Sequence, residues 1–294
     1  MKQRDIPSTT IDIAVYVGTV FALSTVLYLP LFLDGRSVSE RPVMIIALMW
    51  TPALAAGITR VLRSPRIAGD GERWTFRDAI RFFGLGGAGV RVRTALAILG
   101  AILFPIVTAS IAYGVAWGAG LAEFASPVKA PLLHLARDVL RAATLGTLFG
   151  SIIVLGEEIG WRGFLARKLN ESDLPRPLVS GGVVWAAWHV PLILTGQYAG
   201  GPVPIVSALS FSLLAVALHS LWSRMYLATG SLWPAIAGHS AWNTVIQFSF
   251  DGHTAGENAA LWVGDSGVLV AIVAAVGALG VARMWRVPEP DAPR

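Results

Sequence analysis

Two adjacent carboxylates, Glu157 and Glu158, stand close to Arg162 at the end of an apolar stretch, and Leu145 to Leu155 before them carries no ionisable residue. Charge embedded in hydrocarbon persists only where a partner or a reaction keeps it there. On a helix, Glu158 and Arg162 share a face at a spacing of four, while Glu157 is turned about 100° away from Glu158. Glu158 is therefore expected to pair with Arg162, which leaves Glu157 pointing into the bundle as the acid that handles a proton. The plainer alternative is a structural ion pair with Arg162 reaching to the interface.

Two further polar insertions widen the chemistry. His189 follows Trp185 by one helical turn within an apolar span, and a histidine can take up a proton near neutral pH. Pro191, two residues on, removes a backbone donor, a break tolerated where neighbours or a water-lined cavity satisfy the freed carbonyl. His239 and Asn243 lie four apart on one helical face, two hydrogen-bonding groups that could meet an oxyanion or orient a water. Interhelical hydrogen bonding is the structural alternative for His189 and for the His239 and Asn243 pair. At 1.5 Å per residue, Glu157 falls on the order of 10 to 12 Å from the cytoplasmic end of its span, and the two histidines on the order of 16 to 18 Å from theirs. All of them belong to one middle layer and could share a cavity.

The elements that position these groups are membrane helices. Of the 294 residues 54% are hydrophobic and only 14% charged, the mean hydropathy is +0.63, and an average soluble domain has about a quarter of its residues charged. Eight apolar spans are expected, over residues 11–33, 43–62, 94–118, 140–164, 178–195, 203–222, 228–248 and 266–285. The fold class is thus an all-α polytopic transmembrane helix bundle with no separate soluble domain. The first span exceeds the ~7 to 15 residues of a signal-peptide core and is expected to remain in the mature protein.

Orientation follows from the arginines. Arg60, Arg63, Arg66, Arg73, Arg77, Arg81, Arg91 and Arg93 crowd the 60–93 segment, which belongs on the cytoplasmic side, where 74–83 could lie as a basic amphipathic surface helix. Alternation puts Arg167, Lys168, Arg176, Arg224, Arg283 and Arg286 on that same side, and the Lys- and Arg-free stretch from Asp251 to Asp265 on the other. Both termini are then cytoplasmic. A pI near 10 with arginines beside spans points to anionic lipids at the 60–93 loop as partners rather than to nucleic acid.

Cysteine is absent, so disulfides, thiol nucleophiles and cysteine metal sites are excluded. Ser151, Ser180 and Ser240 lie near the polar clusters, yet none sits in a nucleophile-elbow pattern. Gly84 to Gly89 fits GxGxxG, but no strand precedes it and a flexible loop is the expectation. Gly114 with Gly118, and Gly146 with Gly150, have the spacing for close helix packing, the second pair letting a neighbour approach the active span. His134, His219 and His253 fall near span ends or in loops, where surface roles are expected. Arg137 and Asp138 belong at the outer interface of the Glu157 span.

Glu157-Glu158-x-x-x-Arg162, then Trp185-x-x-x-His189, then His239-x-x-x-Asn243, resembles in order and separation the motif set of the CAAX prenyl endopeptidase and bacteriocin-processing intramembrane proteases, the CPBP or Abi family. The resemblance covers about 140–250; the first three spans share only their apolar character. It divides the chain into N-terminal helices with the basic loop (1–139), a protease core (140–250) and a last helix with its tail (251–294). It implies that Glu157 and His189 activate water for attack on a peptide carbonyl, that His239 and Asn243 hold the oxyanion, and that Glu158 with Arg162 braces the site. Trp185 departs from the family's usual Phe.

The substrate so implied is a membrane-associated peptide or protein, CAAX-like or bacteriocin-like. The bias to Arg, Ala and Gly points to a bacterial source, hence to the inner membrane and away from a prenylated substrate. No cofactor is expected. A divalent metal on Glu157, His189 and His239 is the alternative, since these are ligand types of catalytic zinc, although no HExxH run exists. A non-catalytic immunity or scaffold protein of the same fold is the competing reading from another class, and a proton-coupled transporter finds little support without an inverted repeat.

Overall fold

In the computed structural model the described residues are 8–35, 37–63, 75–86, 92–126 and 130–287. Six helices are long and apolar enough to cross a bilayer, namely Ser8–Leu33, Pro42–Arg63, Val92–Gly118, Pro131–Asn170, Pro177–Leu194 and Pro204–Thr229. Two other expected spans are helical but differ. Trp233–Asn243 runs on as a widened turn, Thr244–Phe250, and Val268–Ala282 has only 15 residues, about 22 Å against a ~30 Å hydrocarbon core. Expected span 140–164 is the middle of a 40-residue helix, Pro131–Asn170.

Local sequence explains where these helices begin and end. Pro42, Pro131, Pro177 and Pro204 each open one, because a ring-fixed φ suits the first turn and the missing N–H is not needed there. Gly230, at φ +69°, closes the helix that ends at Thr229 by taking the left-handed conformation that stops a ladder. Side chains sort as a bilayer demands. On the long helix Leu148, Phe149 and Ile152 are largely exposed, while Glu157, Glu158 and Arg162 of the same helix are buried.

Contacts define two ends of the bundle. At one, Asp12 pairs with Arg63 at 2.9 Å and Lys168 at 3.1 Å, and Arg167 donates to the Phe82 carbonyl. Here a short helix, Phe76–Phe82, starts on a capping box of Thr75 and Asp78 within the expected amphipathic stretch 74–83; Trp74, Arg66, Arg73 and Arg91 lie outside the described residues. Gly84 and Gly86 follow that helix rather than a strand, and Gly87 and Gly89 of the GxGxxG run lie outside the described residues. At the opposite end the Val38 N–H bonds the Gln197 carbonyl at 2.9 Å, and Glu123–Phe124 pairs with Thr254–Ala255 as a two-stranded ribbon.

Close packing on the long helix uses glycine. A Cβ at Gly146 would lie 3.1 Å from Thr244 Cβ, and one at Gly150 only 2.5 Å from Ser240 Oγ, so this pair admits the helix that carries His239. Gly114 and Gly118 have nothing within 4 Å; the close packing expected of them is not found. Gly156 instead seats the Pro42–Arg63 helix, since a Cβ there would fall 2.6 Å from the Met49 carbonyl oxygen and 2.7 Å from Trp50 Cα. Backbone cannot swing aside as a side chain can. Gly156→Val should therefore lower stability by about 1 to 3 kcal/mol or more, read as a lower Tm of the purified protein in detergent; an unchanged Tm would mean that the neighbouring helix retreats freely.

Candidate active site

The Glu157 helix widens to π geometry over Ile159–Ala166, directly after its two acids, and such wide turns often occur at functional sites. Across this turn the side chains four apart meet. Arg162 Nη1 donates to Glu158 Oε1 at 2.7 Å with both side chains fully buried, and Trp161 Nε1 donates to Glu157 Oε2 at 3.2 Å. The two acids keep separate company. Glu157 Oε2 takes a second donor, Trp185 Nε1, at 2.9 Å, while Glu158 Oε1 lies 2.7 Å from His239 Nδ1.

Arg162 has no carboxylate on its remaining nitrogens, which have no hydrogen-bond partner. Its guanidinium instead lies 4.1 Å from the Trp185 ring centroid and 5.0 Å from that of Trp222, where the aromatic faces attract the cation. His239 stacks on Trp222 at 5.4 Å. Four helices, carrying Glu157, Trp185, Trp222 and His239, thus converge on one charge.

Hydrogen bonds assign the histidine tautomers. His189 Nδ1 sits 3.0 Å from the Trp185 carbonyl, which can only accept, so Nδ1 bears the proton and Nε2 presents a lone pair when the ring is neutral. His239 Nδ1 faces the Glu158 carboxylate and carries its proton in the same way. Its Nε2 becomes a donor once the ring is protonated.

Glu157, His189, His239 and Asn243 line a single cavity of about 170 Å³ together with Met49, Leu192, Tyr198 and Gln247. Asn243 is half-buried at its wall. Tyr198, Gln247 and Ser39 also line a polar recess of about 460 Å³ bounded by Asp251, Asp265 and Ala255, at the end of the bundle opposite Asp12 and Lys168. Asp265 organises this mouth by accepting from Tyr198 Oη at 2.9 Å, Trp242 Nε1 at 2.9 Å and Gln247 Nε2 at 2.6 Å. Burial pushes the Asp251 carboxyl up to about 6, against the hydrogen bond from the Tyr113 hydroxyl and with the nearby Asp265 adding to the rise.

The donor atoms of Glu157, His189 and His239 are not among those gathered within 4.8 Å of one another; among the described residues only His134, Asp138 and His253 meet that distance. His219 and His253 depart from the surface roles expected of them, being fully and almost fully buried. Helix Pro204–Thr229 runs past the expected span end at 222, and this draws His219 beneath Trp185, 6.4 Å between rings. Sequence reasoning also missed Trp161 and Trp222, whose donor and π-face roles look like apolar periodicity in the sequence, and Asp265, whose loop stood out only for lacking Lys and Arg.

An acid, two histidines and an asparagine thus line one cavity within a bundle of apolar helices, and the buried ion pair of Glu158 and Arg162 lies on the helix that carries the acid. Residues 139–245 match the family model described as Rce1-like, type II CAAX prenyl endopeptidase, and every motif residue from Glu157 to Asn243 falls inside the match. No curated protein matches the chain. The match points to a CAAX-type membrane peptidase.

Removing the guanidinium would strand the Glu158 charge. Arg162→Met should destabilise by about 3 to 5 kcal/mol, whereas Glu158→Gln with Arg162→Met, leaving neither charge buried alone, should recover most of the loss. Thermal unfolding in detergent measures both; a double variant no better than the single would locate the energy in stacking between the tryptophans rather than in charge.

Proposed function

We propose that this protein is a glutamate-type intramembrane endopeptidase that hydrolyses a peptide bond in a membrane-associated, CAAX-like or bacteriocin-like substrate. The carrying observation is that Glu157, His189, His239 and Asn243 share one cavity wall. The two indole donors occupy one oxygen of Glu157, so its other oxygen and His189 Nε2 are the bases on offer to a water. Water attacks the scissile carbonyl as its proton passes to one of these bases. The new oxyanion is met by Asn243 and by Nε2 of His239 as the imidazolium, whose Nδ1 is held by Glu158. Collapse expels the amine, which takes the proton back from the base, leaving a carboxylic acid and an amine.

The surrounding chain fits the same reading. Residues 140–250 form the catalytic core, 1–139 and 251–294 its membrane housing, and the arginines of the 60–93 segment hold anionic lipid on the cytoplasmic face of the inner membrane with both termini inside. The cavity shares Tyr198 and Gln247 with the polar recess, which lies at the arginine-poor end, so substrate enters from the side opposite the basic loops.

Comparing new peptide termini in membranes carrying wild type or Glu157→Gln, at matched protein levels, tests the reaction. Termini missing from the variant support it, and identical termini across growth conditions would favour a scaffold instead. With a substrate in hand, Trp185→Phe keeps an aromatic ring beside His189 but removes one donor from Glu157, and kcat should fall about tenfold with little change in KM. An unaltered kcat would show that Trp161 alone orients the acid.

A further inference from the structure

Two of the helices that carry the candidate active site meet a second time, at the end of the bundle that bears the polar mouth. His134 and Asp138 lie one turn apart on the Pro131–Asn170 helix, and His253 terminates the segment that continues from the His239 helix. His134 Nδ1 is 2.8 Å from His253 Nε2. Asp138 Oδ2 is 3.4 Å from the first of these atoms and 3.8 Å from the second. A triangle with those sides has its centre about 2.0 Å from each corner, and zinc binds imidazole nitrogen and carboxylate oxygen at about 2.0 to 2.2 Å.

The surroundings favour ligation as well. His253 Nδ1 lies 2.8 Å from the Ser249 carbonyl, which fixes its proton there and leaves the Nε2 lone pair facing the other two donors. That outer hydrogen bond is the usual companion of a metal-bound histidine. Phe124 stacks on the His253 ring at 6.3 Å, and Ala125 N–H holds the His253 carbonyl at 2.9 Å. The other Asp138 oxygen faces Arg141 Nη1 at 3.4 Å, so Oδ2 stays turned toward the histidines. His134 and Asp138 side chains are 35% and 24% exposed, which gives an ion an entry path and a water a fourth position.

We propose that His134, Asp138 and His253 bind one divalent transition-metal ion, with zinc the best match to two imidazoles and a carboxylate. The ion would tie the helix of Glu157 and Glu158 to that of His239 and Asn243 at their outer ends, a structural clip separate from the cavity. The competing account is a plain hydrogen bond, since His134 Nδ1–H can donate to His253 Nε2 at the observed distance.

The test uses the full-length protein, tag removed, purified in detergent and stripped with EDTA. Titrated Co²⁺ should give one equivalent of a four-coordinate visible spectrum that Zn²⁺ displaces, and Zn²⁺ should raise Tm reversibly with EDTA. His134→Gln with His253→Gln should lose that equivalent, Asp138→Asn at the exposed rim should weaken it at least about tenfold, and Glu157→Gln should keep it. Wild type that takes up no equivalent, a histidine double variant that binds as wild type does, or loss of binding in Glu157→Gln would each overturn the proposal.

Discussion

The buried guanidinium of Arg162 is the charge around which the rest of this bundle is arranged. Taking an ion of this size out of water costs several kcal/mol even after relaxation, and here both it and Glu158 are withdrawn completely. One carboxylate oxygen at 2.7 Å does not offset that alone. Trp185 and Trp222 supply the remainder through their faces, and both tryptophans come from helices other than that of Arg162. Movement of those helices would leave the cation with Glu158 alone, so the charge ties the tertiary arrangement together. Lipid is as apolar as leucine, and packing in a bilayer draws no help from the hydrophobic effect.

A consequence is that Glu157 inherits its position from its neighbour. The widened turn of Ile159–Ala166 lets Trp161 and Arg162 fold back on consecutive acids. Trp185 then serves both, its N–H on Glu157 and its face on Arg162. The acid free of the arginine is held by neutral donors only, and its other oxygen is left to the cavity. A phenylalanine at 185 would preserve the face and abandon the N–H, so a tryptophan at this position has a chemical content of its own.

How much of this was legible follows from the physics of each signal. The expectation of a helical membrane bundle rested on apolar runs, which are long and unambiguous, and the structure shows that class. Two spans fared differently because the limit is length and polarity: Val268–Ala282 is short, and the His239 helix carries its polar side chains inward. The acid, histidine and asparagine motifs stood out because charge is rare in such a chain. Trp161, Trp222 and His219 were silent, since tryptophan counts as apolar in any periodicity and a helix that continues seven residues beyond its expected end carries His219 inward with it. Three wide turns, at Ala142–Gly146, Ile159–Ala166 and Thr244–Phe250, left no trace in composition. Support from the first helix was equally hidden: Ser24 accepts from Trp188 Nε1 and Tyr28 donates to the Trp188 carbonyl, fixing the residue that precedes His189.

The mouth and the chamber are also mechanically joined. Asp265 gathers Tyr198, Trp242 and Gln247, and Tyr198 and Gln247 are walls of both the outer recess and the inner cavity. Trp242 precedes Asn243, so a displacement of the 251–265 loop pulls on the backbone that aims Asn243. His253, at the start of that loop, is anchored to the Pro131–Asn170 helix through His134, and His239, on the same segment as Trp242, is anchored to it again through Glu158. Ser240 Oγ donates to the Thr147 carbonyl and Thr244 Oγ1 to the Ala142 carbonyl between these two points, so the pair of helices is tied from the chamber to the rim and Asn243, flanked by Ser240 and Thr244, is held at the cavity wall.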